Sequence, residues 1–234
     1  AENLGLKKDD ILDFELFLYG VEKGSLVGLN EEFISIGKLD DLAMAHAGLN
    51  GLIDSKVGNA TNVLVCFDNE EVGSTTKQGA ASPMLRTVLE RITLAMGKDK
   101  EDYYRALSNS FLISADMAHA LHPNYTEKQD PTNRPVVNGG PTIKISARQS
   151  YTTDSLSCAV YEGICKSIGV PVQKFVNRSD ERGGSTIGPI SSTQLDISSV
   201  DIGNPILGMH SIRELGGVFD HYYVYKSFQE FYRI

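Results

Sequence analysis

The stretch from residue 142 to residue 177 decides the fold, and it contains TIKISA at 142–147, DSLSCAVYEGICKSI at 154–168 and VQKFVN at 172–177. These three segments predict a strand, a helix and a second strand that follow one another along the chain. Strands that alternate with helices are typical of an α/β layered domain.

The same alternation continues on both sides of this unit. The run NVLVCF at 62–67 is short, apolar and rich in β-branched residues, which predicts a buried central strand. The following elements are also expected: a strand at 11–19, a helix at 40–54 behind an Asp that could cap it, an amphipathic helix at 83–96 with Pro near its start, a strand at 111–115, a loop at 123–141 and a helix at the end of the sequence. The fold class is therefore α/β, a three-layer α/β/α domain with a mixed, largely parallel sheet.

Composition excludes several kinds of partner. The net charge of −8 argues against nucleic acid and against an anionic membrane, because both require clustered Lys and Arg. The apolar runs all fall short of the roughly 20 residues that span a bilayer. The three cysteines form no CxxC pair and are odd in number, which fits a reducing compartment. We therefore expect a cytoplasmic protein.

Four segments place carboxylates or a histidine just past an apolar, strand-like run. They are KLDD with Asp40, DNEEVGS with Glu70 and Glu71, SADMAH with Asp116, and GMHSIRE with His210. In open α/β sheets such groups converge in the crevice at the carboxyl ends of the strands. Two divalent ions about 3.5–4 Å apart need a bridging carboxylate, further ligands, and a carboxylate outside the ligand set that accepts a proton from water. The adjacent glutamates suit this division of roles.

Simpler interpretations stand beside this one. An isolated Glu-Glu pair is usually a solvated surface feature, a lone Asp before a helix is usually a cap, and a lone His is usually a structural residue. His119 and His122 have i, i+3 spacing, and we favour packing or supporting roles for them over metal binding.

Taken together and in order, these segments become specific. GKLDDL, FDNEEVGS, SADMAHALHPNY, PTIKISARQSY, GGSTIGP and GMHSIRE resemble the aspartyl aminopeptidase family of two-zinc peptidases, in its C-terminal, catalytic part. The resemblance runs from about Ile11 to the last helix. It implies a zinc-exopeptidase-like fold, removal of N-terminal residues from peptides with acidic residues preferred and neutral ones possible, and a large homo-oligomer.

The resemblance also implies a metal site. Asp40 would bridge two zinc ions, Glu71 and His210 would complete the ligands of one, and Asp116 would bind the other. Manganese or cobalt would accept the same ligands. In the related clan the bridging Asp is commonly followed by a cis peptide, so we expect a cis bond after Asp40. Glu70 would be the general base.

Two further residues are implied in substrate binding. Lys144 and Tyr151 would line the pocket for the first side chain of the peptide or stabilise the reacting carbonyl; as isolated residues they are ordinary strand and loop positions.

The sequence departs from the family in two ways. Family members carry a further metal-binding His in a His-x-Asp motif near their N-terminus, which is absent from this sequence, and they are nearly twice as long. We therefore expect residues 1–20 to be the tail of an inserted second domain, and residues 21–234 to be the catalytic domain without its N-terminal segment. An inactive fragment or assembly module is the alternative function. A related two-metal peptidase or deacylase fits MHSIRE and the Lys144 strand less well.

Overall fold

The computed structural model describes residues 1–56 and 58–234. The helices are α1 (Leu39–Asp54), α2 (Met84–Ala95), α3 (Lys100–Ser108), α4 (Ser155–Ser167), α5 (Gly188–Leu195) and α6 (Val218–Phe231). The strands are β1 (Ser25–Val27), β2 (Phe33–Ile36), β3 (Phe111–Ala115), β4 (Ala118–His119), β5 (Thr142–Ile145), β6 (Gln173–Val176), β7 (Ser198–Gly203), β8 (Pro205–Leu207) and β9 (Glu214–Gly217).

The central sheet has four strands in the order β3-β7-β5-β6. The β3/β7 and β5/β6 pairs are parallel, and the β5/β7 pair is antiparallel. This is the mixed, largely parallel sheet that the sequence predicts. The strand, helix and strand expected between residues 142 and 177 are β5, α4 and β6, each within two residues of its predicted bounds.

Helices cover both faces of this sheet. Ile143, Val200 and Ile202 are fully buried and pack in the main core with side chains from α1, α4 and α6. Asp201, the neighbour of two of them in β7, points to the opposite face, because successive side chains of a strand alternate. On that face Thr186, just before α5, donates a hydrogen bond of 2.8 Å to Asp201 Oδ1. The domain therefore has the predicted three layers.

A second sheet, in the order β1-β2-β9-β8-β4, was not predicted from the sequence. Its strands are two to four residues long, too short for alternation of polar and apolar residues to identify them. The antiparallel β2/β9 pair is important for the site. It places the residues that follow β2 beside the turn between β8 and β9, and these two places hold Asp40 and His210.

The start of α1 differs from the expectation. No side chain caps this helix, so the prediction of a capping Asp is wrong. Asp40 and Asp41 have non-helical backbone angles within it, and the peptide bond between them is cis, which confirms that prediction. By contrast, Asp154 caps α4 in the ordinary way, since its Oδ1 accepts a 2.7 Å hydrogen bond from the Ser157 N–H.

The strand predicted at 11–19 is wrong. These residues have no regular secondary structure, and Leu12 and Leu16 are 95% and 84% exposed. A strand needs a neighbour for its N–H and C=O groups, and no strand of the described residues pairs with this segment. Alternation alone therefore did not produce a strand here.

The buried strand predicted at 62–67 is also wrong. The segment has no strand assignment, and Val63 is 42% exposed. β3 is an edge strand of the central sheet and pairs only with β7 among the described strands. A cavity of about 510 Å³ is lined by both β3 and residues 63–67. The apolar run therefore faces a cavity rather than a neighbouring strand.

Candidate metal centre

Asp40, Glu71 and His210 converge although they are far apart in the sequence. His210 Nε2 lies 3.0 Å from Asp40 Oδ2 and 3.1 Å from Glu71 Oε2. The Asp40 side chain is 4% exposed, whereas those of His210 and Glu71 are 61% and 56% exposed. The three ligand atoms lie within 4.8 Å of one another, close enough to hold one metal ion.

A second group of potential ligands contains Asp40, Asp41 and Asp116. The Asp116 backbone directly follows β3, and Asp40 precedes the regular part of α1. Asp40 belongs to both groups, which is the arrangement expected of a carboxylate between two metal positions. Asp41 was not predicted as a ligand, because the sequence gives no sign that the two adjacent aspartates both reach the same site.

The electrostatics of the cluster favour a cation. Burial, followed by the neighbouring Asp116 and then Glu71, raises the pKa of Asp40 to about 9. Burial also opposes ionisation of Asp116, but the Lys144 ammonium and hydrogen bonds from Asp40, Lys144 and the Met117 N–H hold the pKa of Asp116 below its ordinary value. Carboxylates and an imidazole at these distances are the donor set that zinc accepts. A dication would remove the mutual repulsion that keeps a proton on Asp40.

Glu70 lies beside this cluster and belongs to neither ligand group among the described residues. It begins a short 3-10 helix, Glu70–Val72, that also carries Glu71, so the two glutamates are held next to each other. Burial, and then the charges of Asp116 and Glu71, raise the pKa of Glu70 above its ordinary value. A half-buried carboxylate with a raised pKa is suited to accept and return a proton.

Lys144 and Tyr151 form another side of the site. Lys144, in β5, is 4% exposed, and its Nζ lies 3.1 Å from Asp116 Oδ2 and 5.6 Å from the centre of the Tyr151 ring. Although burial disfavours the ammonium, Asp116 and then Asp201 raise the pKa of Lys144, so its side chain stays charged. The structure thus brings this predicted pair against the metal cluster through Asp116.

Glu214 is a residue of the site that sequence reasoning missed. Its Oε2 accepts a 3.0 Å hydrogen bond from the Asp40 N–H, and its Oε1 accepts a 2.8 Å hydrogen bond from the His210 N–H. It is 2% exposed. A Glu that follows Arg at the start of a short strand gives no sequence signal of burial, although it lies within the GMHSIRE segment.

His119 and His122 belong to neither ligand group in the described part of the chain. Burial, and then Lys144 and His210, lower the pKa of His119, so that imidazole lies near the site in its neutral form. His122 Nδ1 accepts a 3.2 Å hydrogen bond from the Asn124 N–H and has a local role.

The 510 Å³ cavity borders the carboxylates of the metal cluster. Asp40, Asp41, Glu70, Glu71 and Asp116 line one part of it, and the remaining lining is largely apolar. Lys144, Tyr151 and His210 are not among its lining residues. The cavity and the Lys144 side are therefore separate surfaces that meet at the carboxylates.

A cluster of carboxylates and a histidine beside a mixed sheet is typical of metal-binding α/β proteins. Comparison with known proteins identifies the family within this class. The model of the family described as "Aminopeptidase I zinc metalloprotease (M18)" matches residues 1–232. The chain therefore belongs to the M18 family of zinc metalloproteases, which confirms the resemblance.

Individual relatives agree with this assignment. The "Probable M18 family aminopeptidase 2" of Clostridium novyi (strain NT) is 64% identical over 234 residues, covering 100% of this chain and 54% of that protein. A chain in the solved Ape4 and Nbr1 complex is similar with a TM-score of 0.90 and 39% identity, over 97% of this chain and 44% of that chain. The S. cerevisiae mApe1 dodecamer gives a TM-score of 0.78 and 31% identity, over 91% and 48% of the two chains. The chain thus spans about half the length of the relatives it matches.

Proposed function

We propose that the protein is a zinc-dependent aminopeptidase that removes N-terminal residues from peptides with a water activated by two metal ions. The observation that carries this proposal is the pair of ligand groups that share Asp40, with Glu70 beside them and outside both. Membership of the M18 family supports the reaction class.

The roles of the residues follow from their positions. Asp40 would bridge the two ions, with Glu71 and His210 on one and Asp116 on the other; when bound, the zinc ions supply Lewis acidity toward water and the scissile carbonyl. Glu70 accepts the proton of the attacking water and returns it to the leaving amine. Its raised pKa supports this role, because a carboxylate with a higher pKa is a stronger base toward water.

Substrate preference is proposed to come from Lys144. Its ammonium has three N–H donors, and Asp116 is the acceptor nearest to one of them. An acidic side chain at the peptide N-terminus would accept a further charge-assisted hydrogen bond from the same group. The ring of Tyr151 lies against Phe175, with 6.3 Å between ring centres, and this apolar surface beside Lys144 would suit neutral residues more weakly.

The wider context is also a proposal. We infer a homo-oligomer, supported by the dodecamer of the mApe1 relative and by the exposed apolar side chains between residues 12 and 21. We propose that residues 1–20 belong to a second domain, since they lack strands and are almost entirely exposed. The three free thiols are compatible with the cytoplasm. Among the described helices, none has the length and apolarity that crossing a membrane requires.

The experiment compares Glu70→Gln with Glu71→Gln in the full-length protein, using N-terminal aspartyl and leucyl peptides as substrates and measuring bound zinc. Loss of general-base catalysis costs about 10²–10⁴-fold in turnover, so Glu70→Gln should keep its zinc and lose that factor. Glu71→Gln should lose zinc as well as activity.

Two results would contradict the proposal. Wild-type turnover in Glu70→Gln would show that another group is the base. Absence of aminopeptidase activity in the full-length wild type with its zinc bound would favour an inactive or assembly role.

A further inference from the structure

Glu214 connects the backbone of the segment that holds Asp40 to the backbone of the turn that holds His210. It is the first residue of β9, it is 2% exposed, and each of its carboxylate oxygens accepts one backbone N–H. The donors are the N–H groups of Asp40 at 3.0 Å and His210 at 2.8 Å. One buried carboxylate therefore holds the main chain at two residues that contact each other through Asp40 Oδ2 and His210 Nε2.

Neither of these N–H groups has a partner within regular secondary structure. Asp40 lies in the first turn of α1, where backbone N–H groups have no intrahelical acceptor, and its backbone angles are non-helical. His210 lies in the turn between β8 and β9 with a φ of 66°, a conformation that is uncommon for a residue with a side chain. Both local conformations therefore depend on contacts from elsewhere, and Glu214 supplies one to each.

The neighbouring residue makes the position of Glu214 rigid. The Arg213 guanidinium donates to Ser35 Oγ at 3.0 Å and to Ser25 Oγ at 2.8 Å, which ties the start of β9 to β1 and β2. The Glu214 backbone pairs with Ile36 in the same sheet. The carboxylate thus extends from a fixed sheet toward the two ligand-bearing segments.

We propose that Glu214 is a positioning residue that sets the separation of Asp40 and His210 for metal binding. The inference rests on the proposed function, in which these two residues hold zinc. Groups that hydrogen-bond to metal ligands typically change metal affinity by about 10–100-fold when they are replaced. Glu214 acts on the main chain of two ligands at once, so a loss in this range is expected.

Asp220 provides a matched control. It is also fully buried, and its Oδ2 and Oδ1 accept the N–H groups of Asn138 at 2.6 Å and Gly140 at 2.7 Å. It lies in the first turn of α6 and belongs to neither ligand group. Replacement by the amide leaves one acceptor and turns an NH₂ group toward the second N–H at either position. The two variants therefore suffer the same local loss in different places.

The test compares Glu214→Gln and Asp220→Asn with wild type in the full-length protein. Zinc affinity is measured by competition with a chromophoric chelator, and the visible spectrum of the cobalt-substituted protein reports ligand geometry. We expect about 10–100-fold weaker zinc binding and an altered cobalt spectrum in Glu214→Gln alone. Both variants should lower the melting temperature. Glu214→Asp, which reaches one N–H but not both, should show a smaller loss of affinity.

Several outcomes would overturn the inference. Equal zinc affinities in Glu214→Gln and Asp220→Asn would show that Glu214 has a structural role alone, as would an unchanged cobalt spectrum. If Glu214→Gln does not fold, the same comparison is made with Glu214→Asp, and wild-type affinity in that variant would count against the proposal. A wild type that binds zinc but does not cleave peptides would refute the proposed function, while the affinity comparison would still test Glu214.

Discussion

Two walls of the candidate site differ in charge, exposure and internal support. The metal wall consists of Asp40, Glu71 and His210, and the cation wall consists of Lys144 and Tyr151. Two of the three side chains of the metal wall are more than half exposed, whereas Lys144 is 4% exposed. Asp116 lies between the walls, in contact with Lys144 at 3.1 Å.

The two walls differ in how their charges are balanced. The metal wall is acidic and open, and burial with neighbouring carboxylates raises the pKa of Asp40 to about 9, so a bound cation would relieve the repulsion within this wall. The cation wall is balanced by Asp116 and Asp201 before any ligand arrives. On the proposed function, one wall would acquire its charge balance on binding metal, whereas the charge of the other is already balanced by the protein before a substrate binds.

The largest effect that separates the walls is expected in metal binding. His210→Ala removes the imidazole of the metal wall, and zinc affinity of the full-length protein should fall by more than about 100-fold, beyond the range of residues that merely support ligands. Lys144→Ala should change zinc affinity by no more than about 10–100-fold, the range for a group that hydrogen-bonds to a ligand, because its Nζ contacts Asp116. Equilibrium competition with a chelator measures both variants. Similar losses in the two variants would show that the walls are not functionally separate.

A smaller effect is expected in substrate choice. Lys144→Ala should lower kcat/KM for an N-terminal aspartyl peptide about 10–100-fold more than for a leucyl peptide, because a charge-assisted hydrogen bond contributes about 1.5–3 kcal/mol. Steady-state kinetics on the two peptides give the ratio directly. Tyr151→Phe keeps the ring and serves as the control on the same wall, with little change in that ratio. Equal losses for both peptides in Lys144→Ala would remove Lys144 as the source of acidic preference.

The sequence predicted those elements that find a packing or pairing partner within this chain. β3, β5, α4 and β6 were predicted because each has a continuous local pattern and a partner within this chain. The segments at 11–19 and 62–67 have the local pattern but no strand partner among the described residues, so pattern and structure disagree. Strand formation depends on tertiary contacts that periodicity does not contain.

For the site, the six motifs contain the proposed ligands, Glu70 and Lys144, and the structure brings these residues close together. The motifs did not reveal Glu214, whose function in the structure depends on the β2/β9 pairing and therefore on two segments far apart in sequence. Asp41 was missed for a related reason, since its approach to Asp116 depends on the non-helical start of α1. The proposed ligands could therefore be predicted from short sequence motifs, whereas the contacts of Glu214 and Asp41 could be recognised only in the folded structure.

The smallest predicted effect concerns a carboxylate that belongs to neither wall. Asp220 is buried like Asp40 but has two backbone N–H donors in place of acidic neighbours. Burial raises its pKa to about 6, although the hydrogen bonds from Asn138 and Gly140 oppose this rise. Asp40, with carboxylates nearby, reaches about 9. The two pKa values differ because acidic neighbours raise that of Asp40, whereas two N–H donors lower that of Asp220, and the Asp220 value can be tested in stability.

The direction in which stability changes with pH follows from the difference in the pKa of Asp220 between the folded and unfolded states. The folded state holds a proton on Asp220 up to about pH 6, whereas the unfolded state releases it near pH 3.8. Between these two pH values, ionisation of Asp220 lowers the free energy of the unfolded state but not that of the folded state. The contribution of Asp220 to the free energy of unfolding is therefore complete below about pH 4 and is lost as pH rises through 6. Between about pH 5 and 7 the loss should be about 1 kcal/mol, or roughly 2–4 °C in Tm. The difference in Tm between wild type and Asp220→Asn, followed over this range, isolates the contribution because the amide does not titrate. The difference should fall with rising pH and then become flat above about pH 7. A difference that stays constant would mean that Asp220 is ionised throughout, and that burial without acidic neighbours does not shift a carboxylate in this fold.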